Sequence, residues 1–122
     1  VCEHFGRGTL PYYPLAHGFL TGKYRRGKAV PEGTRLALAP AAQDKRLTDA
    51  NFDILEQLEV FVEKRGHSTV ELAFAWILAR KSVGSVIAGA STPDQIRQNA
   101  AAAEWELTDN EMEELAGILD GR

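Results

Sequence analysis

The chain has 122 residues, 44% of them hydrophobic and 25% charged, a length and balance that suit one globular domain and exclude disorder. Lys and Arg total 14 against 17 Asp and Glu, and the resulting formal charge of −3 gives no electrostatic reason to expect nucleic acid or an anionic membrane as partner. No apolar run approaches the roughly 20 residues that span a bilayer. The single cysteine, Cys2, excludes an internal disulfide and a cysteine-rich zinc site, and it suits a reducing, cytoplasmic setting.

The opening Val1-Cys2-Glu3-His4-Phe5-Gly6 is read as the end of a helix within a longer pattern rather than as a signal segment. A short strand is predicted over 9–12, with Pro11 at its margin because proline donates no ladder hydrogen bond. Residues 17–47 read as one long loop, broken by Gly18, Gly22, Gly27, Pro31, Gly33 and Pro40 and basic at Lys23, Arg25, Arg26 and Lys28. A loop of that length is uncommon in a compact domain and is usually functional.

An amphipathic helix is predicted over 49–64, where Phe52, Leu55, Leu58 and Val62 recur at spacings of three and four. Thr48 or Asp49 can cap its start, and Gly66 lies just past its end. Ser68-Thr69-Val70-Glu71 is a capping box and opens a helix apolar almost all round, ending near Arg80. Residues 83–90 read as a buried strand. Thr92-Pro93-Asp94-Gln95 then starts a helix that runs to Glu104, and the box Thr108-Asp109-Asn110-Glu111 starts a last one with Met112, Leu115, Ile118 and Leu119 on one face. Strands separated by helices imply parallel pairing, but two strands cannot make a sheet covered on both faces. The missing strands are expected upstream of Val1.

Gly89-Ala90-Ser91-Thr92-Pro93 carries the sharpest chemical signal. A glycine allows close approach, and a helix start offers free N–H groups to a phosphate. The same residues also serve as a turn and a cap. Gln95 and Asn99, four apart on one helix face, can read a base edge or bond each other, or simply face water. The basic loop from Lys23 to Lys28, with Arg35 beyond, can clamp phosphates or form a solvated face. His4, His17 and His67 stand apart with no ligand partner at suitable spacing, so no metal site is expected. His17 sits in a Gly-flanked turn where a functional role is open, and His67 reads as exposed in a helix–helix turn. No Ser–His–Asp motif is present. Trp76 and Trp105 read as packing residues.

Tyr12-Tyr13-Pro14-Leu15-Ala16-His17-Gly18-Phe19-Leu20-Thr21-Gly22-Lys23-Tyr24 resembles the seventh-strand region of the aldo-keto reductases, in the branch that includes the potassium-channel β subunits. The likeness continues through Pro31-Glu32-Gly33-Thr34-Arg35, Leu72-Ala73-Phe74-Ala75-Trp76 and the stretch from Ile87 to Asn99. It implies an α/β fold, the C-terminal portion of a (β/α)8 TIM barrel with strands seven and eight, incomplete as a barrel. It implies the carbonyl chemistry of an NADP(H)-dependent oxidoreductase. Barrel enzymes place phosphate sites after strands seven and eight, where the two candidate segments fall.

By this resemblance Tyr12 is the residue that stacks on the nicotinamide. Tyr13, Pro14, Leu15, Ala16 and His17 line the cofactor diphosphate and ribose, and Lys23 reaches the phosphates. Arg35 lies near the adenosine phosphate, Gly89 and Ser91 at the 2′-phosphate, and Gln95, Gln98 and Asn99 at the adenosine. No catalytic residue is carried over: the family's proton-donor Tyr and its Asp, Lys and His partners have no counterpart in these 122 residues. A carbonyl substrate is therefore expected only for an intact protein. The alternative is a non-catalytic nucleotide-binding or interaction module that self-associates through exposed strand edges.

Overall fold

Helices carry most of the regular structure. The computed structural model describes residues 1–121. A 3-10 helix spans Ala16–Thr21, followed by α1 (Pro40–Arg46), α2 (Asp49–Glu63), α3 (Thr69–Leu78), α4 (Pro93–Ala101), a 3-10 turn at Ala102–Glu104, and α5 (Asp109–Leu119). Among the described residues no helix is long and apolar enough to cross a membrane.

The caps form as their residue types require. The Thr48 hydroxyl accepts from the Asn51 amide and starts α2, and Thr92 does the same for α4 with Pro93 in its first turn. Both capping boxes are complete. The Ser68 amide donates to Glu71 at 2.7 Å, and the Thr108 amide donates to Glu111 at 2.9 Å. Burial would push the Glu71 carboxyl up, but hydrogen bonds from the Ser68 hydroxyl and amide and from His67 outweigh it and hold the group below the usual carboxylate range. Glu111 is held down first by the Thr108 amide, against a smaller burial effect, and then by the Thr108 hydroxyl and Arg65.

A carboxyl whose pKa is depressed by folding adds stability above its unfolded value and loses it as pH falls through the folded one. The melting temperature is therefore expected to drop as pH falls below about 4. Glu111→Gln should flatten that drop while lowering the neutral-pH value, and a thermal-melt series across pH checks both.

Three clusters make the core. Phe19, Tyr24, Leu36, Phe52 and Leu55 pack the long segment onto α2. Leu58, Phe61, Val62, Leu72 and Leu115 join α2, α3 and α5. Ala73, Phe74 and Ala102 meet Leu15, Val70, Val86 and Ala88 on the far side of α3. Four consecutive α3 residues, Leu72 to Ala75, are buried, as expected of a helix apolar on every side.

The two strands do not form as predicted. Residues 9–12 and 83–90 meet at two isolated parallel bridges, Thr9 with Val83 and Tyr12 with Ile87. Around Val83 the ladder is complete: the Thr9 amide donates to Ser82 O at 2.6 Å and the Gly84 amide to Thr9 O at 3.1 Å. The next donor in register is Pro11, which has no N–H, and the pairing resumes only where the Ile87 amide donates to Pro11 O at 3.2 Å. The bridges stand three residues apart on one segment and four on the other, so the register slips by one. Nor is the second segment buried, for Ile87 is 55% exposed.

Residues 17–47 are also more ordered than a loop. They hold most of the 3-10 helix and all of α1, and their Tyr24 and Leu36 are fully inside. Two of the basic residues are structural. Arg26 bridges Asp49, Asp53 and Glu56, on successive turns of α2, at 3.0, 2.6 and 3.1 Å, and Arg25 meets Glu59 at 2.7 Å. This part of the basic run is exposed to solvent, as a solvated face would be, but paired and so not a free clamp. It fastens the long segment to α2. His67 departs from expectation too: it is half-buried, with its ring stacked on Trp105 at 3.9 Å and Nδ1 3.3 Å from Glu71.

Candidate functional site

The turn that follows the first bridging segment is strained. Tyr13, Ala16 and His17 have φ of 60°, 49° and 61°, the only non-glycine residues with positive φ among the described residues. Each costs of order 1 kcal/mol or more, because the Cβ crowds the backbone. Three such residues in five are held by what surrounds them. Leu15 anchors the turn in the third cluster, and the Tyr24 hydroxyl donates to His17 O at 3.4 Å. The Tyr13 and His17 rings stack at 4.5 Å, and Tyr12 tilts against Tyr13 at 4.8 Å.

Three cations converge on this turn. The Lys23 side chain lies across Gly18, where φ is +86° and a Cβ would stand 2.5 Å from Cε. Arg35 sits over the Tyr13 ring at 5.8 Å. Arg46, at the end of α1, donates its Nε to His17 Nδ1 at 3.2 Å. A guanidinium only donates, so Nδ1 is the acceptor and the His17 ring proton lies on Nε2. Among the described residues none of these three cations has a carboxylate within ion-pair distance, in contrast to Arg25, Arg26, Arg65 and Arg97.

Arg35 also links the turn to the second candidate segment. A Cβ on Gly89 would stand 3.4 Å from its Nη2, ordinary van der Waals contact, so the guanidinium lies directly beside this turn. Beyond Gly89, the Ser91 amide donates to the Gln95 side chain at 2.6 Å, and the Asn99 amide reaches back to Gly89 O at 3.5 Å. Gln95 and Asn99 thus bond neither each other nor open water alone; they hold the 89–91 turn at the start of α4. The Ser91 hydroxyl remains free among the described residues, and so does the Gln98 side chain, which is exposed.

Tyr12, Tyr13, His17, Lys23, Arg35 and Gly89 are therefore brought together, with Ser91, Gln95 and Asn99 beside them. Pro14 and Ala16 face another way and line an apolar cavity. Gln98 stands apart. Arg46 was not legible as a site residue, although Pro40 at a helix start and Lys45-Arg46 at a helix end are the signals of α1. No group of His, Cys, Asp or Glu among the described residues could hold a metal ion.

The chain belongs to the aldo/keto reductase family, whose family model matches residues 1–120. It is 38% identical over 108 residues to the L-glyceraldehyde 3-phosphate reductase of Escherichia coli O157:H7, a match that covers 82% of this chain and 30% of that protein. It is 34% identical over 122 residues to a putative voltage-gated potassium channel subunit beta of Schizosaccharomyces pombe, covering 95% and 35%. Among solved structures, a glycerol dehydrogenase from Gluconobacter oxydans superposes with a TM-score of 0.77 at 29% identity, over 98% of this chain and 36% of that one. The fold is thus that of part of an aldo-keto reductase barrel, rich in helix, and the chain spans about a third of the length of these relatives.

Proposed function

We propose that this chain forms the adenosine and diphosphate side of an NADP(H) site in an oxidoreductase that interconverts carbonyls and alcohols. The observation that carries the reading is the convergence of Lys23, Arg35 and Arg46, none paired with a carboxylate, on one strained turn. Unpaired cations held against rigid backbone suit an anionic ligand with several phosphate oxygens. Arg35 and the Ser91 hydroxyl flank Gly89 and would take the 2′-phosphate. Lys23, with Tyr13 and His17, would follow the diphosphate. Gln95, Gln98 and Asn99 would meet the adenosine, and the exposed Tyr12 ring would stack on the nicotinamide.

When bound, the cofactor supplies the hydride. A carbonyl also needs a proton donor within hydrogen-bond reach. The family's donor Tyr comes from segments that these residues do not match, and Tyr12, Tyr13 and Tyr24 lie in the wrong segment to replace it. Mixed with NADPH and an aldehyde, the purified chain is expected to leave the NADPH unconsumed. Steady oxidation of NADPH that depends on the aldehyde would overturn the reading.

A second reading has its own observation. Leu10, Tyr12 and Ile87 are 62%, 71% and 55% exposed beside two bridging segments whose outer edges pair with no other strand among the described residues. Such edges can extend into a sheet with another chain. A module that works this way would self-associate and stay indifferent to NADPH.

A further inference from the structure

The apolar cavity beneath the strained turn has a volume of about 350 Å³ and is walled by the inner sides of α2, α3 and α5, with Leu58, Leu72, Trp76 and Leu115 among its lining. That volume lies in the range of small-molecule pockets, about 300–1,000 Å³. Besides the indole N–H of Trp76, three lining residues carry polar side chains: Arg46, Asn51 and Thr69. Two of them are already committed. The Asn51 amide donates to Lys45 O and Arg46 O at 3.2 and 2.9 Å, and the Thr69 hydroxyl donates to Leu20 O at 2.6 Å. Arg46 is different. Its Nε is spent on His17, while neither Nη group bonds any described residue and no described carboxylate pairs with it.

A wall of hydrocarbon with one planar, uncommitted guanidinium is complementary to an apolar chain that ends in a single anionic head. We propose that this cavity binds a small amphipathic monoanion, of the class of medium-chain carboxylates, with the carboxylate paired to the Arg46 Nη groups and the hydrocarbon laid between α2, α3 and α5. The guanidinium fork matches a carboxylate bidentately, and hydrocarbon burial supplies the rest of the affinity. The cavity adjoins the proposed cofactor turn and shares Arg46 with it, but octanoate binding to the chain without NADPH does not depend on that role.

Calorimetric titration of the chain with octanoate and with octanol tests this. Octanoate is expected to bind saturably, and octanol about tenfold or more weakly, the scale of a charge-assisted pair. Arg46→Gln should erase that preference. Leu119→Asp, which puts a negative charge at the cavity rim where the side chain is 43% exposed, should weaken octanoate further than octanol. Both positions lie at helix ends or on exposed surface, and unchanged circular dichroism and melting confirm that the variants fold. Equal binding of octanol, octanoate affinity unmoved by Arg46→Gln, or no octanoate binding to the folded chain overturns the proposal.

Discussion

Phe61→Ala is expected to destabilise the chain by about 3–5 kcal/mol, the cost of removing a buried aromatic ring. Phe61 is 2% exposed and sits at the centre of the cluster that joins α2, α3 and α5. Its ring stacks with Trp105 at 6.4 Å and lies under the Arg65 guanidinium at 3.7 Å. Arg65 in turn donates to Phe61 O at 2.9 Å and bridges Glu111 and Glu114 of α5 at 2.9 and 2.6 Å. The ring is therefore both packing and platform for the pairing that holds α5 in place, and truncation removes both.

Domains of this size hold only about 5–15 kcal/mol in total. Circular dichroism melts should show a fall of about 10 °C or more, or the loss of a cooperative transition. Val60→Ala, at the preceding residue of the same helix but 50% exposed, should stay within about 0.5 kcal/mol of the parent. Similar melts for the two variants would contradict this account of the core.

Arg35→Met is expected to weaken NADPH binding about tenfold or more, the worth of one or two hydrogen bonds to charged groups, and to weaken NADH less. Arg35 is exposed, has no described carboxylate partner, and is placed by Tyr13 on one side and Gly89 on the other. Its removal costs the fold little, so a loss of affinity reports on the site. Arg97→Met is the control. Arg97 lies on α4, paired with Asp94 at 2.7 Å, and its loss should leave both affinities unchanged. Equal effects of the two substitutions would remove Arg35 from the site.

What the sequence discloses and what it hides divide along physical lines. Caps are local chemistry. Ser68 with Glu71 and Thr108 with Glu111 need only residues three apart, and both boxes form where the pattern places them. The apolar spacing of α2 is equally local, and Phe52, Leu55, Leu58 and Val62 are buried as it requires. Strand order depends on partners, and here the one-residue detail that governs pairing, the missing donor of Pro11, interrupts the ladder between its two bridges.

The long segment was hardest to read. Tyr24 and Leu36 look like isolated apolar residues among glycines, and only the tertiary meeting with Phe19 and Phe52 makes them core. Arg25 and Arg26 could not be told from Lys23 and Arg35 by sequence, since what separates them is the row of carboxylates on α2, more than twenty residues away. The candidate site was legible as segments but not as a geometry. The contact of Arg35 with Gly89 and the reach of Arg46 to His17 cross distances in the chain that no local motif records.

The most direct measurement is a calorimetric titration of the folded chain with NADPH and with NADH. Saturable binding of NADPH at one site per chain, tighter than NADH, is the expected result, because Lys23, Arg35 and Ser91 offer the phosphates donors that no described carboxylate claims. A folded chain that gives no binding heat with NADPH, or binds the two cofactors equally, contradicts the assignment of this turn to the cofactor's phosphates.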